Sequence, residues 1–202
     1  MQTNEFDIKA KTWDQNAIHM ERSLAIARDL EMMAPLNKNM KAMEYGAGTG
    51  LLSFLLKDKL GEILMVDSSE KMISICNEKI ASTEATNMHS LLMDLEKTEY
   101  HNQFDLIYSQ MVFHHVKNVQ GMFKKLFSLL NKSGYLAIAD LYPEDGSFHG
   151  IEVTDVHRGF DPEALAGQLR QLGFSHTEVK QSFVVSRGDG KGFPVFLLMA
   201  KK

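Results

Sequence analysis

Between residues 40 and 141 the chain alternates short apolar runs with helical patterns, and this alternation restricts its possible folds more than any other feature. Met40 to Tyr45 reads as a strand, Leu51 to Leu60 as a helix, Glu62 to Val66 as a strand and Glu70 to Ala81 as a helix. Further strands are expected at His89 to Met93, Phe104 to Ser109 and Tyr135 to Asp140, with a helix from Val119 to Leu130. Asn131 to Gly134 is a turn signal ahead of the last strand. Strands separated by helices imply right-handed crossovers and a largely parallel sheet, so the fold class is α/β, doubly wound.

The two ends depart from this alternation. From Thr12 to Met33 the residues Trp13, Ala17, Met20, Leu24, Ala27, Leu30 and Met33 recur at three- and four-residue steps, which predicts an amphipathic helix ending near Pro35. After a helix from Pro162 to Leu172, capped by Gly173, the β-rich runs Ser175 to Val185 and Phe193 to Lys201 flank the hairpin-like stretch Ser186 to Gly192. The seventh and last strand should then be antiparallel to its neighbour. The four prolines, at 35, 143, 162 and 194, fall at expected element boundaries, and no repeat or low-complexity linker divides the chain.

Composition narrows the partners. Twenty-two Lys and Arg against 26 Asp and Glu give a net charge of −4, which supplies no basic field for nucleic acid or an anionic membrane. One cysteine, Cys76, excludes an intrachain disulfide framework or a multi-cysteine zinc site and suits a reducing, cytoplasmic compartment. The first residues carry no basic-then-apolar leader, and no stretch approaches the ~18 apolar residues of a membrane span.

The strongest local signal is Glu44-Tyr-Gly46-Ala-Gly48-Thr-Gly50, which leaves an apolar strand and enters a helix. Glycines there permit a sharp turn, bring main-chain N–H groups close to a ligand and aim a helix N-terminus at it. Asp67 follows the next apolar strand, 19 residues beyond Gly48, where a carboxylate can accept both hydroxyl protons of a ribose. Asp67-Ser-Ser-Glu70 reads equally as a capping box. Dinucleotide enzymes use G-x-G-x-x-G, but Leu51 occupies the position of the third glycine, which falls instead at 50. Glu44 would repel a pyrophosphate and attract the ammonium of an amino-acid-like ligand, which favours a nucleoside joined to an amino acid.

These residues resemble the class I S-adenosylmethionine-dependent methyltransferases, whose first motif is an acidic residue followed by G-x-G-x-G. Met93-Asp94-Leu95 resembles the family's stretch after the third strand, whose Asp approaches the adenine amino group. The segment from Phe104 to Val116 is similar to that of the small-molecule methyltransferases of the ubiquinone and menaquinone biosynthesis type. The resemblance implies a Rossmann-like fold, S-adenosylmethionine as cofactor and S-adenosylhomocysteine as product. It implies cofactor contacts from Gly46, Ala47, Gly48 and Glu44, from Asp67 and Ser68, and from Met93, Asp94 and Leu95, with Gln110 near the methionine half. Met72 reads equally as core, and Trp13 as either a cofactor cover or a helix anchor.

The expected reaction is transfer of the methyl group to a small-molecule acceptor, by placement of a nucleophile in line behind an already activated methyl. The expected single domain divides into an N-terminal helical lid (1–38), a cofactor-binding core (39–141), a substrate cap (142–160) and a C-terminal helix and hairpin (161–202). Among bases, His115 is the candidate catalytic residue, although adjacent His114 and His115 should not both face one pocket from a regular element. His114, His115, His149 and His157 show no recognisable ligand spacing, so no metal is expected. Arg187 and Lys191 read as a solvated turn. A monomer or weak homodimer is expected. A nicotinamide-dependent oxidoreductase, or a noncatalytic S-adenosylmethionine-binding module, remains the rival reading.

Overall fold

The computed structural model describes residues 5–150, 155–188 and 190–202. Residues 1–4 of the expected lid, 151–154 of the expected cap and residue 189 of the hairpin connection lie outside the described residues. Seven strands, β1 (Lys41–Tyr45), β2 (Glu62–Asp67), β3 (Met88–Leu92), β4 (Phe104–Gln110), β5 (Leu130–Leu141), β6 (His176–Ser186) and β7 (Gly192–Lys201), form one sheet in the order β3-β2-β1-β4-β5-β7-β6. Neighbours from β3 through β5 pair in parallel, while β7 runs antiparallel to both β5 and β6.

Helices cover both faces, so the central strands bury alternate residues in two separate layers. Ala42, Leu106 and Tyr108 point into the layer beneath α2 (Ala17–Met33) and α3 (Leu51–Leu56), whereas Met43, Tyr45 and Ile107 point into the layer beneath α5 (Val119–Leu129) and α6 (Pro162–Leu172). The remaining helices are α1 (Glu5–Lys9) and α4 (Glu70–Thr83). Because β1 sits between β2 and β4, the chain turns opposite ways from the two strands and leaves a crevice at their carboxyl ends.

Several local expectations change. The helix read from Thr12 to Met33 is broken at Asn16, whose side chain accepts from Ile18 N at 3.1 Å and caps α2; a 3-10 segment, Ala10–Gln15, precedes it. Its buried face also differs from the apolar stripe. Met20 and Leu24 are exposed, while Arg22, Ser23 and Asp29 are buried with Ile26, Ala27 and Leu30. The polar groups go inside because partners await two of them: Lys180 and Ser182 each donate to Asp29 at 2.8 Å, and Gln110 donates to Ser23 at 2.8 Å.

Helix α3 stops at Leu56 rather than Leu60. The turn signal at Asn131 to Gly134 lies within β5, where pairing passes from Phe104↔Leu130 to Leu106↔Tyr135; Ser133, at φ 66°, belongs to the extra residues bulged out between these pairs. Pro194 is the third residue of β7, paired with Val184, and marks no boundary.

Candidate active site

A cavity of about 690 Å³ opens at the carboxyl ends of β1, β2 and β4. The glycine loop forms its floor. Gly46, Gly48 and Gly50 all take left-handed backbone conformations, with φ of 69°, 56° and 79°. A Cβ at Gly46 would lie 2.3 Å from the Val112 side chain, so the loop can pass beneath the chain leaving β4 only without one. Gly46 and Ala47 donate to Val66 O at 2.9 and 3.0 Å, and Gly48 N donates to Asp67 Oδ2 at 2.7 Å, which clamps the loop to the end of β2.

Asp67 Oδ1 also accepts from Ser69 N at 2.8 Å, and burial raises its pKa against these bonds. Each carboxylate oxygen retains acceptor capacity, and the residue lines the cavity. Asp94, half-buried on the same wall, accepts from Glu96 N at 3.1 Å and pairs with Lys97 at 2.5 Å. Ser68, Met72, Met93 and Leu95 surround the two carboxylates. Gln110 lines the opposite side, held by Ser23. Cys76 is buried, with its thiol donating to Gly48 O at 3.2 Å and pushed up to about 12 by burial, so it supports the loop as an inert thiol.

Glu44 is the one expected cofactor contact that does not line this cavity. Its position on β1 turns it to the face covered by α3, where Ser53 Oγ donates to it at 2.5 Å and itself lies 2.6 Å from Tyr108 Oη. Burial pushes the carboxyl up to about 8, which disfavours its charged form at neutral pH and weakens the case for it as the counter-ion of an ammonium.

The N-terminal segment closes one side. Trp13 lines the cavity with its ring 4.2 Å from that of His19. Two carboxylates beside it hold the segment to the cofactor loops: Asp14 accepts from Thr49 Oγ1 at 2.5 Å and from Lys79 at 2.9 Å, and Asp7 accepts from Ser69 Oγ at 2.5 Å. Arg22, absent from the sequence reading, also lines the cavity. It is 5% exposed, its Nε has no hydrogen-bond partner among the described residues, and burial lowers its pKa to about 10 although Asp140 opposes the shift. The sequence carried no signal for it, because Arg22 stands two residues from both Met20 and Leu24, on the side of the helix largely opposite the apolar stripe.

At the far end the chain leaves β4 through Met111, whose φ of 57° is a left-handed conformation in a non-glycine residue, and enters the 3-10 turn Phe113–His115. The three-residue turn places both adjacent histidines on the cavity wall, with ring centroids 4.2 Å apart, where a regular strand would have set them on opposite faces. His114 is buried, and its Nδ1 lies 2.7 Å from Asp140 Oδ1. Burial, then His114 and His149, push His115 down to about 3, so its imidazole is neutral at physiological pH. His149 stands across from them, 4.9 Å from His114 and 5.2 Å from His115 between ring centroids. His157 faces away and bonds Val116 O at 3.0 Å. Arg187 is exposed, as expected, and also borders the cavity: it stacks over Phe148 and Phe193 and donates to the carbonyls of Ser147 and Phe148.

Comparison with known proteins agrees with this architecture. A family model described as a methyltransferase domain matches residues 36–173, so the chain belongs to the methyltransferase-domain family. It is 30% identical over 156 residues to an uncharacterized methyltransferase of Schizosaccharomyces pombe, covering 69% of this chain and 55% of that protein. It is also 30% identical over 163 residues to malonyl-[acyl-carrier protein] O-methyltransferase 2 of Ilyobacter polytropus, covering 78% and 59%. The chain thus spans somewhat over half the length of these curated relatives.

Among solved structures, a methyltransferase of Haloferax volcanii in complex with the Trm112 activator superposes with a TM-score of 0.80 at 16% identity, covering 100% and 99% of the two chains. The Haemonchus contortus phosphoethanolamine N-methyltransferase 2, solved with S-adenosyl-L-methionine, gives 0.73 at 16% identity, covering 90% and 52%. The fold is that of the class I S-adenosylmethionine-dependent methyltransferases, and S-adenosylmethionine is the cofactor of the class.

Proposed function

We propose that this domain transfers the methyl group of S-adenosylmethionine to a small-molecule acceptor held at the histidine end of the cavity. The observation that carries the reading is one continuous cavity whose wall runs from Asp67 and Asp94 past Gln110 and Arg22 to His115 and His149. The residues present fit the cofactor. On this reading Asp67 accepts ribose hydroxyl protons, Asp94 and Leu95 meet the adenine and Met72 packs against it; that all four line the cavity supports it. Arg22, a buried guanidinium with an unmatched Nε, fits the carboxylate of the methionine half, and Gln110 lies beside it.

The cofactor supplies a methyl group already activated on a sulfonium, so the protein's part is positioning and the exclusion of water. Trp13 and the segment tied down through Asp7 and Asp14 shield one side of the cavity; Phe148 and Arg187 shield the other. His115 faces the acceptor end, where its ring nitrogen orients an O–H or N–H of the acceptor. A net charge of −4 favours a small molecule over nucleic acid, and the reading takes the protein as cytoplasmic and as a monomer or weak homodimer.

Similarity to O- and N-methyltransferases directs the acceptor screen to carboxylates and amines. The first test is calorimetric titration with S-adenosylmethionine, S-adenosylhomocysteine and NAD in parallel. Micromolar binding of the first two without the third is expected, followed by turnover in the screen. NAD binding alone would overturn the reading, and cofactor binding without turnover on any acceptor would favour a noncatalytic binding module.

A further inference from the structure

We infer that His114, His115 and His149 form a binding site for a divalent transition metal ion of the zinc class, at the acceptor end of the cavity. The inference rests on the methyltransferase reading only for the metal's role, not for its binding. The ligand atoms of the three side chains lie within 4.8 Å of one another. Three imidazoles sharing a tetrahedral ion at 2.0–2.1 Å stand about 3.4 Å apart, so closure requires a contraction of at most about 1.5 Å. Rotation of the half-buried His115 and His149 rings supplies it.

The surroundings match what such an ion needs. Asp140 Oδ1, 2.7 Å from His114 Nδ1, keeps a proton on that nitrogen and leaves Nε2 as the ligating lone pair. This is the carboxylate–histidine relay that orients metal-bound imidazoles and raises their basicity. Asp140 also accepts from His114 N at 3.2 Å, so backbone and ring are fixed by one carboxylate. The turn carrying His114 is pinned from outside, because His157 N donates to His114 O at 2.7 Å. On the other side, Arg187 stacked over Phe148 holds the residue next to His149.

Imidazole nitrogen selects zinc, cobalt, nickel or copper over magnesium and calcium, which prefer oxygen. Three protein ligands leave a coordination position open towards the cavity. With the ion bound, the His115 lone pair is taken up by the metal, so the ion in place of that imidazole would hold an oxygen or sulfur of the acceptor and lower its pKa, making it a better nucleophile without a protein base. Sequence spacing could not show the site, since His149 comes from a segment 34 residues beyond His115.

The test is a Co²⁺ titration of the full chain after chelator treatment, followed by visible absorption. One equivalent should bind and give the intense d–d bands of a four- or five-coordinate site. His149→Ala and His115→Ala should each weaken binding by about tenfold or more and lose the bands, His149→Cys should restore them with a thiolate charge-transfer band, and the exposed His176→Ala should change nothing. No binding, or binding that survives in the His115→Ala/His149→Ala double variant while circular dichroism shows it folded, overturns the site. S-adenosylhomocysteine calorimetry on the metal-free protein is run alongside. Retained cofactor binding with no Co²⁺ site removes the metal and leaves the methyltransferase reading standing; a Co²⁺ site without cofactor binding does the reverse.

Discussion

Replacing Glu44 with glutamine tests how burial sets the charge beneath the glycine loop. The carboxyl is fully enclosed, with Ser53 as donor, and its pKa rises from 4.5 to about 8. Between those values the folded chain holds a proton that the unfolded chain releases, so this group's contribution to stability is complete below pH 4.5 and lost as pH rises through 8. The slope is about 1.4 kcal/mol per pH unit. Between pH 5 and pH 7 wild-type stability should therefore drop by about 2–3 kcal/mol on account of Glu44.

Glutamine cannot ionise. Urea denaturation of wild type and Glu44→Gln at pH 5, 6 and 7 should show the variant gaining that amount relative to wild type. The change in hydrogen bonding to Ser53 and Tyr108 enters as a constant offset and cancels. Other titrating groups act on both proteins alike. A stability difference that stays flat across this range would mean that the carboxyl is ionised in the folded protein, and the argument from burial would fail.

Two further substitutions address the cofactor. Asp67→Ala should weaken S-adenosylhomocysteine binding by roughly 1.5–3 kcal/mol, the scale of charge-assisted hydrogen bonds, in calorimetry; unchanged affinity in a folded variant would remove Asp67 from the ribose. Arg22→Met should weaken S-adenosylhomocysteine by about tenfold or more while leaving 5′-methylthioadenosine, which lacks the amino-acid carboxylate, unaffected. Equal losses for both ligands would show that Arg22 acts through packing.

The alternation of runs that yields the parallel sheet was legible because each signal is local. An apolar strand, three glycines and a helix start lie within fourteen consecutive residues, from Lys41 to Phe54, and Asp67 stands at the end of the next strand. Local signals failed where two distant segments decide one outcome. The inward face of α2 was misread because Ser23 and Asp29 are buried against Gln110, Lys180 and Ser182, all far along the chain. Glu44 was assigned to a ligand on its motif position, but its side-chain direction follows from strand parity and from Ser53 and Tyr108 beneath it. Arg187 is exposed as read, but its place at the cavity edge was not legible, because its stacking partner Phe148 lies 39 residues earlier.

By itself the sequence determined the α/β class, the glycine loop with its left-handed turns, and the carboxylates at the strand ends, since strand and helix periods and glycine's freedom at positive φ are properties of contiguous residues. Only the tertiary structure decided that Glu44 is sealed away from the cavity, that Arg22 faces into it, and that His149 meets His114 and His115. Direction and proximity across the chain depend on how helices and loops pack against the sheet, and no spacing within a single segment encodes that.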